Sequence, residues 1–126
     1  MGDQLIEKLG RRGAIAFRHH GGVDAVIEYL EKDEWKFGSG YAKADLISLL
    51  RKLDLKPAQA ERLRRVVLAV VEGRDRREFR HYCRLASKVD SPRLRKELTR
   101  RLEDGNEMVR RHARWMLEYL SKHQAT

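Results

Sequence analysis

The pattern of apolar and polar positions is most regular between residues 104 and 120, and it predicts a helix there. Asn106 is placed to cap the free N–H groups of the first turn, and Glu107 adds a favourable negative charge. One apolar row consists of Val109, Ala113, Leu117 and Leu120, and a second row beside it consists of Met108, His112, Trp115 and Tyr119. Because apolar residues occupy more than half of its circumference, we expect this helix to be covered on two sides. Either the N-terminal helix or a second copy of the chain could provide the second cover.

Helical periodicity also predicts six earlier helices, and no segment alternates at the period of a strand. These helices cover residues 3–19, 23–33, 41–53 and 57–72, one that opens at the Asp75/Glu78 capping-box pair, and one that opens at Ser91-Pro92. Gly38-Ser39-Gly40 is the most flexible internal stretch and is predicted to be a hinge. The expected fold is therefore one all-α domain of about seven helices, with N-terminal helices in residues 1–37 and stacked hairpins in residues 41–122.

Two helical segments resemble one another when the chain is aligned on itself with an offset of thirty residues. Phe79-Arg80 then falls on Val109-Arg110, Cys83 on Ala113, Arg84 on Arg114 and Leu68 on Leu98. Repeats of this length are typically helical hairpins, which must stack because one hairpin cannot bury its own apolar face.

The second repeat resembles the HEAT-like repeat family. The matching residues are Leu98-x3-Leu102-x-Asp104 followed by Val109-Arg110-x2-Ala113-x3-Leu117; in the first repeat Phe79 stands where that family has Val, and Cys83 where it has Ala. The resemblance implies a short α-solenoid, although a compact bundle stays an alternative. It also implies that Asp104, Arg110 and Arg80 belong to a structural ladder between repeats rather than to a ligand site.

The positive charge is concentrated in the second half of the chain. The net charge of the protein is +9, yet residues 1–60 hold ten Lys/Arg against nine Asp/Glu, which leaves +8 for residues 61–126. This asymmetry favours a polyanionic partner, nucleic acid first, although Arg-rich helices can also serve solubility alone.

The predicted fifth helix contains the clearest candidate for a polyanion-binding site. Basic residues step by four along one face of it, with further cations beside them: Arg76, Arg80, Arg84 and Lys88, flanked by Arg77 and His81. Like charges at this spacing oppose helix formation, so an anion is expected to lie along the row unless acidic side chains of a neighbouring helix neutralise it. Arg93, Lys96 and Arg100 on the next helix could extend the row.

Other chemistry is poorly represented. His19 and His20 point to different sides of a helix, and His112 and Cys83 are expected to be interior residues. We find no Ser-His-Asp order, no phosphate-binding glycine loop and no paired carboxylates in an apolar setting, so we expect no enzyme, cofactor or metal. With one cysteine and no apolar run longer than Val66–Val71, the chain is expected to be cytoplasmic and not membrane-bound.

The sequence supports two hypotheses about function. The first is a non-enzymatic module that binds nucleic acid or another polyanion through the basic helix. The second is a protein–protein scaffold or small homo-oligomer that uses the Met108, His112, Trp115 and Tyr119 row as its contact surface, with the basic residues only solvating the protein.

Overall fold

A computed structural model describes residues 22–33 and 39–123. Six helices follow one another in these ranges: α1 (Val23–Lys32), α2 (Ser39–Arg51), α3 (Pro57–Glu72), α4 (Phe79–Lys88), α5 (Pro92–Arg101) and α6 (Glu107–Lys122). No strand occurs in the part of the chain that the structure describes, which confirms the predicted all-α class. The helix predicted for residues 3–19, with His19 and His20, lies outside the described residues.

The helix starts show which local signals are used. Ser91 accepts a hydrogen bond from the Leu94 amide at 3.0 Å, and Asn106 accepts one from the Met108 amide at 2.8 Å, as the sequence predicts. The capping box predicted at Asp75 is wrong, because α4 begins only at Phe79 and has no side-chain cap. The Asp75 carboxylate is instead bound by residues of α6.

The predicted hinge at residues 38–40 is also corrected in part, because Ser39 and Gly40 form the first turn of α2. A Cβ atom placed on Gly40 would lie 3.5 Å from Oε1 of Glu78, which places the start of α2 beside the residue that precedes α4. Gly38 lies outside the described residues.

The helices form three consecutive pairs, α1 with α2, α3 with α4, and α5 with α6, each in direct contact. The first helices of the pairs contact one another in the order α1, α3, α5, and the second helices do so in the order α2, α4, α6. We refer to these sets as the first-helix row and the second-helix row. Helix α4 therefore lies between α2 and α6.

A continuous apolar core joins the two rows. Its fully enclosed side chains include Ile27 of α1, Ile47 and Leu50 of α2, Leu63 and Val67 of α3, Leu85 of α4, Leu98 of α5, and Ala113 and Met116 of α6. Each large aliphatic side chain of this kind stabilises the fold by about 1.5–3 kcal/mol relative to an exposed one. In α6, Met116 takes the buried position that the sequence pattern assigned to Leu117, which is only half-buried.

A cluster of charged residues is buried where α1, α2 and the segment before α4 meet. The Lys43 side chain has no exposed surface, and its Nζ lies 2.6 Å from Oδ1 of Asp33. Arg76 contacts the same carboxylate, and Glu78 is 6% exposed with Oε2 3.9 Å from Arg76 Nη1. Two positive and two negative groups therefore meet in one region, where Asp33 is 30% exposed and the other three side chains are almost fully buried.

Among the described residues, no helix is both long enough and apolar enough to span a membrane.

Candidate polyanion-binding surface

The basic residues of α4 lie on its outer side. Arg80 and Lys88 are exposed and Arg84 is half-buried, while Arg77 is exposed in the turn that leads into the helix. The opposite side of α4, which carries Phe79, is buried. We call Arg77, Arg80, Arg84 and Lys88 the α4 basic row.

Arg76, the first member of the predicted row, does not belong to this surface. It precedes α4, and its side chain is 3% exposed because both terminal nitrogens bind the Asp33 carboxylate at 2.8 and 2.9 Å. For this residue the alternative considered above holds, since an acidic side chain from another helix neutralises it. Arg76 is a core residue.

Two arginines of the first-helix row are paired with carboxylates of neighbouring helices. Arg62 of α3 binds Glu31 of α1 through Nη2 at 2.6 Å, and Arg101 of α5 binds Glu72 of α3 through Nη2 at 2.6 Å. Such exposed or half-buried pairs contribute about 0–1 kcal/mol each. They neutralise these two arginines.

The α4 basic row lacks such neutralisation. Among the described residues, Arg77, Arg80, Arg84 and Lys88 form no ion pair with a carboxylate. Within residues 22–33 and 39–123, no carboxylate therefore neutralises these four cations by direct contact.

The half-buried His81 reports the electrostatic potential of this surface. Burial lowers the pKa of its imidazole, and Arg84, Arg80 and Arg51 lower that pKa further, whereas Asp45 acts in the opposite direction. A positive charge on the ring is disfavoured because several cations lie near it. Arg51 of α2 is thus a contributor to the same positive region that the sequence pattern did not single out.

Arg93, Lys96 and Arg100 do not continue the α4 basic row on neighbouring helices. They are exposed on α5, which belongs to the first-helix row and makes no direct contact with α4. Arg100 also pairs with Glu97, with Nη1 and Oε2 3.3 Å apart. Spacing along the sequence could not show this separation, because it depends on how the hairpins pack.

The second apolar row of α6 is divided between the core and the surface. His112 is fully buried, Met108 and Tyr119 are half-buried, and Trp115 is 44% exposed. Trp115 contacts Phe79 of α4 with ring centroids 6.0 Å apart, so part of this row packs between the two helices. The described residues leave the remaining part of the indole open.

His112 links α6 to the loop before α4, which confirms that it is a hydrogen-bonded interior histidine. Its Nδ1 lies 3.0 Å from the Val71 carbonyl oxygen and its Nε2 lies 2.6 Å from Oδ1 of Asp75. Hydrogen bonds from His112 and then Arg111 lower the pKa of the exposed Asp75 carboxyl. The sequence indicated a cap at Asp75 and contained no local signal for this contact across the fold.

The residues implied by the HEAT-like resemblance act locally. Arg110 donates to the backbone oxygen of Asp104 at 2.6 Å, and the Asp104 carboxylate accepts from the Asn106 amide at 2.9 Å. Arg80 contacts neither of them and is exposed in the α4 basic row. The Asp104–Arg110 contact therefore stabilises one turn rather than joining two repeats.

The described residues contain a buried cysteine and no cluster of metal-binding side chains. Burial raises the pKa of the Cys83 thiol to about 12, which suits a small apolar core residue rather than a nucleophile. No group of three or more His, Cys, Asp or Glu side chains is placed to hold a metal ion within the described ranges.

Comparison of the chain with models of protein families, with curated proteins and with solved structures found no match. The site must therefore be interpreted from its own geometry.

Proposed function

We propose that this protein is a non-enzymatic binding module for nucleic acid or another polyanion, and that the α4 basic row is its contact surface. One observation carries the proposal: Arg77, Arg80, Arg84 and Lys88 lie together on the outer side of α4 and the turn before it, and none of them forms an ion pair among the described residues. Arginines and lysines held along one helix without neutralisation attract an extended anion. Contacts of this kind follow phosphates without reading bases.

The arrangement of the hairpins fits this use of α4. We propose that the three helix pairs form a short HEAT-like solenoid, since first helices contact first helices and second helices contact second helices along the chain. In that arrangement α4 occupies the middle of the second-helix row. A ligand along α4 would then have α2 and α6 on either side of it.

A location in the cytoplasm belongs to the same proposal. It is supported by the composition, which includes a single cysteine that is buried and unpaired.

Binding across a salt series tests the proposal. Labelled duplex DNA, single-stranded DNA and RNA would each be titrated with the protein, and fluorescence anisotropy would be recorded at increasing salt concentrations. If four phosphates are neutralised, the logarithm of the association constant should fall with a slope of about −3.6 on duplex DNA and about −2.8 on a single strand. Absence of binding to all three at low salt would reject nucleic acid as the ligand.

The exposed part of Trp115 supports a second candidate function, a protein–protein contact or a small homo-oligomer through α6. Trp115 is one of two large apolar side chains that are exposed in the described residues. Aromatic side chains are enriched at the centres of protein interfaces. Sedimentation of the free protein distinguishes this function from the first.

A further inference from the structure

Two aromatic side chains are exposed in the part of the chain that the structure describes. Tyr41 on α2 is 69% exposed and Trp115 on α6 is 44% exposed, while other large apolar residues there are more enclosed. An exposed aromatic ring costs solvation free energy unless a ligand covers it. Both rings belong to the second-helix row, which also carries the α4 basic row.

The two rings are carried by α2 and α6, the two helices of the second-helix row that contact α4. Gly40, the residue before Tyr41, lies beside the Glu78 carboxylate at the start of α4. Trp115 contacts Phe79, the first residue of α4, from the side of α6. The first turn of α4, which carries Arg80, therefore lies close to the first turn of α2, where exposed Tyr41 stands, and to Trp115 of α6.

The surroundings of Trp115 leave it suited to stacking. The Arg111 guanidinium lies 5.4 Å from the indole centroid, while Phe79 meets the ring at an interplanar angle of 65°. Arg111 is itself held by Asp75, with Nη2 and Oδ2 2.8 Å apart. The indole thus packs against Phe79 and lies beneath the Arg111 guanidinium, while 44% of the residue remains exposed to a partner.

Resting on the proposed function, we infer that the ligand is a single-stranded nucleic acid. Its phosphates would follow the α4 basic row, and its bases would stack on Trp115 and Tyr41. A duplex keeps its bases stacked on one another, so it could use the cations but not the rings. Cationic grooves combined with exposed aromatic side chains are the usual means of binding single strands with little base preference.

An oligonucleotide comparison tests this inference. The probe is a fluorescein-labelled thymidine oligonucleotide of about 12 nucleotides. The matched probe is an abasic oligonucleotide of the same length, which has the same phosphates and no bases. A third probe is a duplex of the same length. We expect wild-type protein to bind the thymidine strand at least about fivefold more tightly than the abasic strand. The reason is that each base stacked on an aromatic side chain increases the affinity by about fivefold or more.

Two substitutions locate the stacking. Trp115→Ala and Tyr41→Ala should each weaken binding of the thymidine strand about fivefold or more and leave binding of the abasic strand within about twofold. In a Trp35→Phe background Trp115 is the sole tryptophan, and its fluorescence should be quenched by the thymidine strand but not by the abasic strand. The wild-type comparison of probes does not depend on the folding of any variant.

The outcomes separate the two proposals. Equal affinity for thymidine and abasic strands, or tighter binding of the duplex than of the thymidine strand, would overturn the single-strand inference and leave polyanion binding intact. Absence of binding to every probe at low salt would overturn both.

Discussion

The Arg76 guanidinium donates two hydrogen bonds to the Asp33 carboxylate, with Nη1–Oδ1 and Nη2–Oδ2 distances of 2.8 and 2.9 Å. The two residues are 43 positions apart in the sequence, so the contact joins the end of α1 to the segment before α4. Lys43 of α2 binds the same carboxylate at 2.6 Å. One acidic side chain thus connects three parts of the fold, and it removes from the surface an arginine that the sequence pattern assigned to a ligand.

Replacing Asp33 with Asn should therefore destabilise the protein strongly. The change leaves Lys43 and Arg76 buried with Glu78 as the one remaining carboxylate of the cluster, and breaking a buried pair in this way costs up to about 3–5 kcal/mol. Urea unfolding followed by circular dichroism measures the loss. Asp24→Asn is a matched control, because the Asp24 side chain is 75% exposed and its carboxylate lies 3.6 Å from Arg62. Equal, small effects of the two substitutions would show that the buried cluster does not stabilise the fold.

The same carboxylate predicts a pH dependence of stability. Burial acts to raise the pKa of Asp33, but hydrogen bonds from Arg76 and Lys43 outweigh it and lower the pKa to about 2. Because the folded-state pKa lies below the unfolded value of about 3.9, the stabilisation is fully present above pH ~4 and is lost as the pH falls through ~2. The stability difference between wild type and Asp33→Asn should shrink by about 2 kcal/mol over that range. A difference that is constant with pH would contradict the assignment.

His81 should respond to a ligand on the α4 basic row. Burial together with Arg84, Arg80 and Arg51 lowers the pKa of His81 in the free protein. A bound polyanion would offset the positive potential of these cations, so the pKa of His81 should rise when an oligonucleotide is added. Nuclear magnetic resonance titration of the histidine ring protons, with His81→Gln used to assign the signal, measures the change. An unchanged pKa at saturation would mean that the ligand lies elsewhere.

Trp115→Glu distinguishes a partner surface from an interior one. Since the indole is 44% exposed and open to solvent, we expect the variant to stay folded and the free wild-type protein to sediment as a monomer. Sedimentation and thermal unfolding of both proteins check this. A wild-type dimer that becomes a folded monomer would favour the homo-oligomer function, and a variant that unfolds would show that Trp115 is a core residue.

Local features of the structure could be predicted from the sequence. The caps at Ser91 and Asn106 and the start of α3 at Pro57 depend on residues only a few positions apart, and the structure has them. The all-α class follows from the same short-range periodicity. Prediction worked where the determining contacts lie within one or two helical turns.

Tertiary contacts could not be predicted in this way. Asp75 has the spacing of a cap, but His112 and Arg111 of α6 bind it, and α4 consequently starts later. Arg76 has the spacing of a surface row, but Asp33 binds it. In each case the charged group binds a residue that is more than thirty positions away in the sequence. A pattern within one helix does not reveal such a partner.

Paired charge reversals test most directly whether the α4 basic row binds the polyanion. Arg80→Glu/Arg84→Glu changes two cations of α4, and Arg93→Glu/Lys96→Glu makes the same change in net charge at exposed positions of α5, on the other row of helices. Anisotropy with the labelled single strand at low salt is the measurement, with circular dichroism to show that both variants remain helical. We predict that the α4 variant loses binding and that the α5 variant keeps it within about threefold, since only long-range attraction is weakened. Equal losses in both variants, or unchanged affinity in the α4 variant, would contradict the claim.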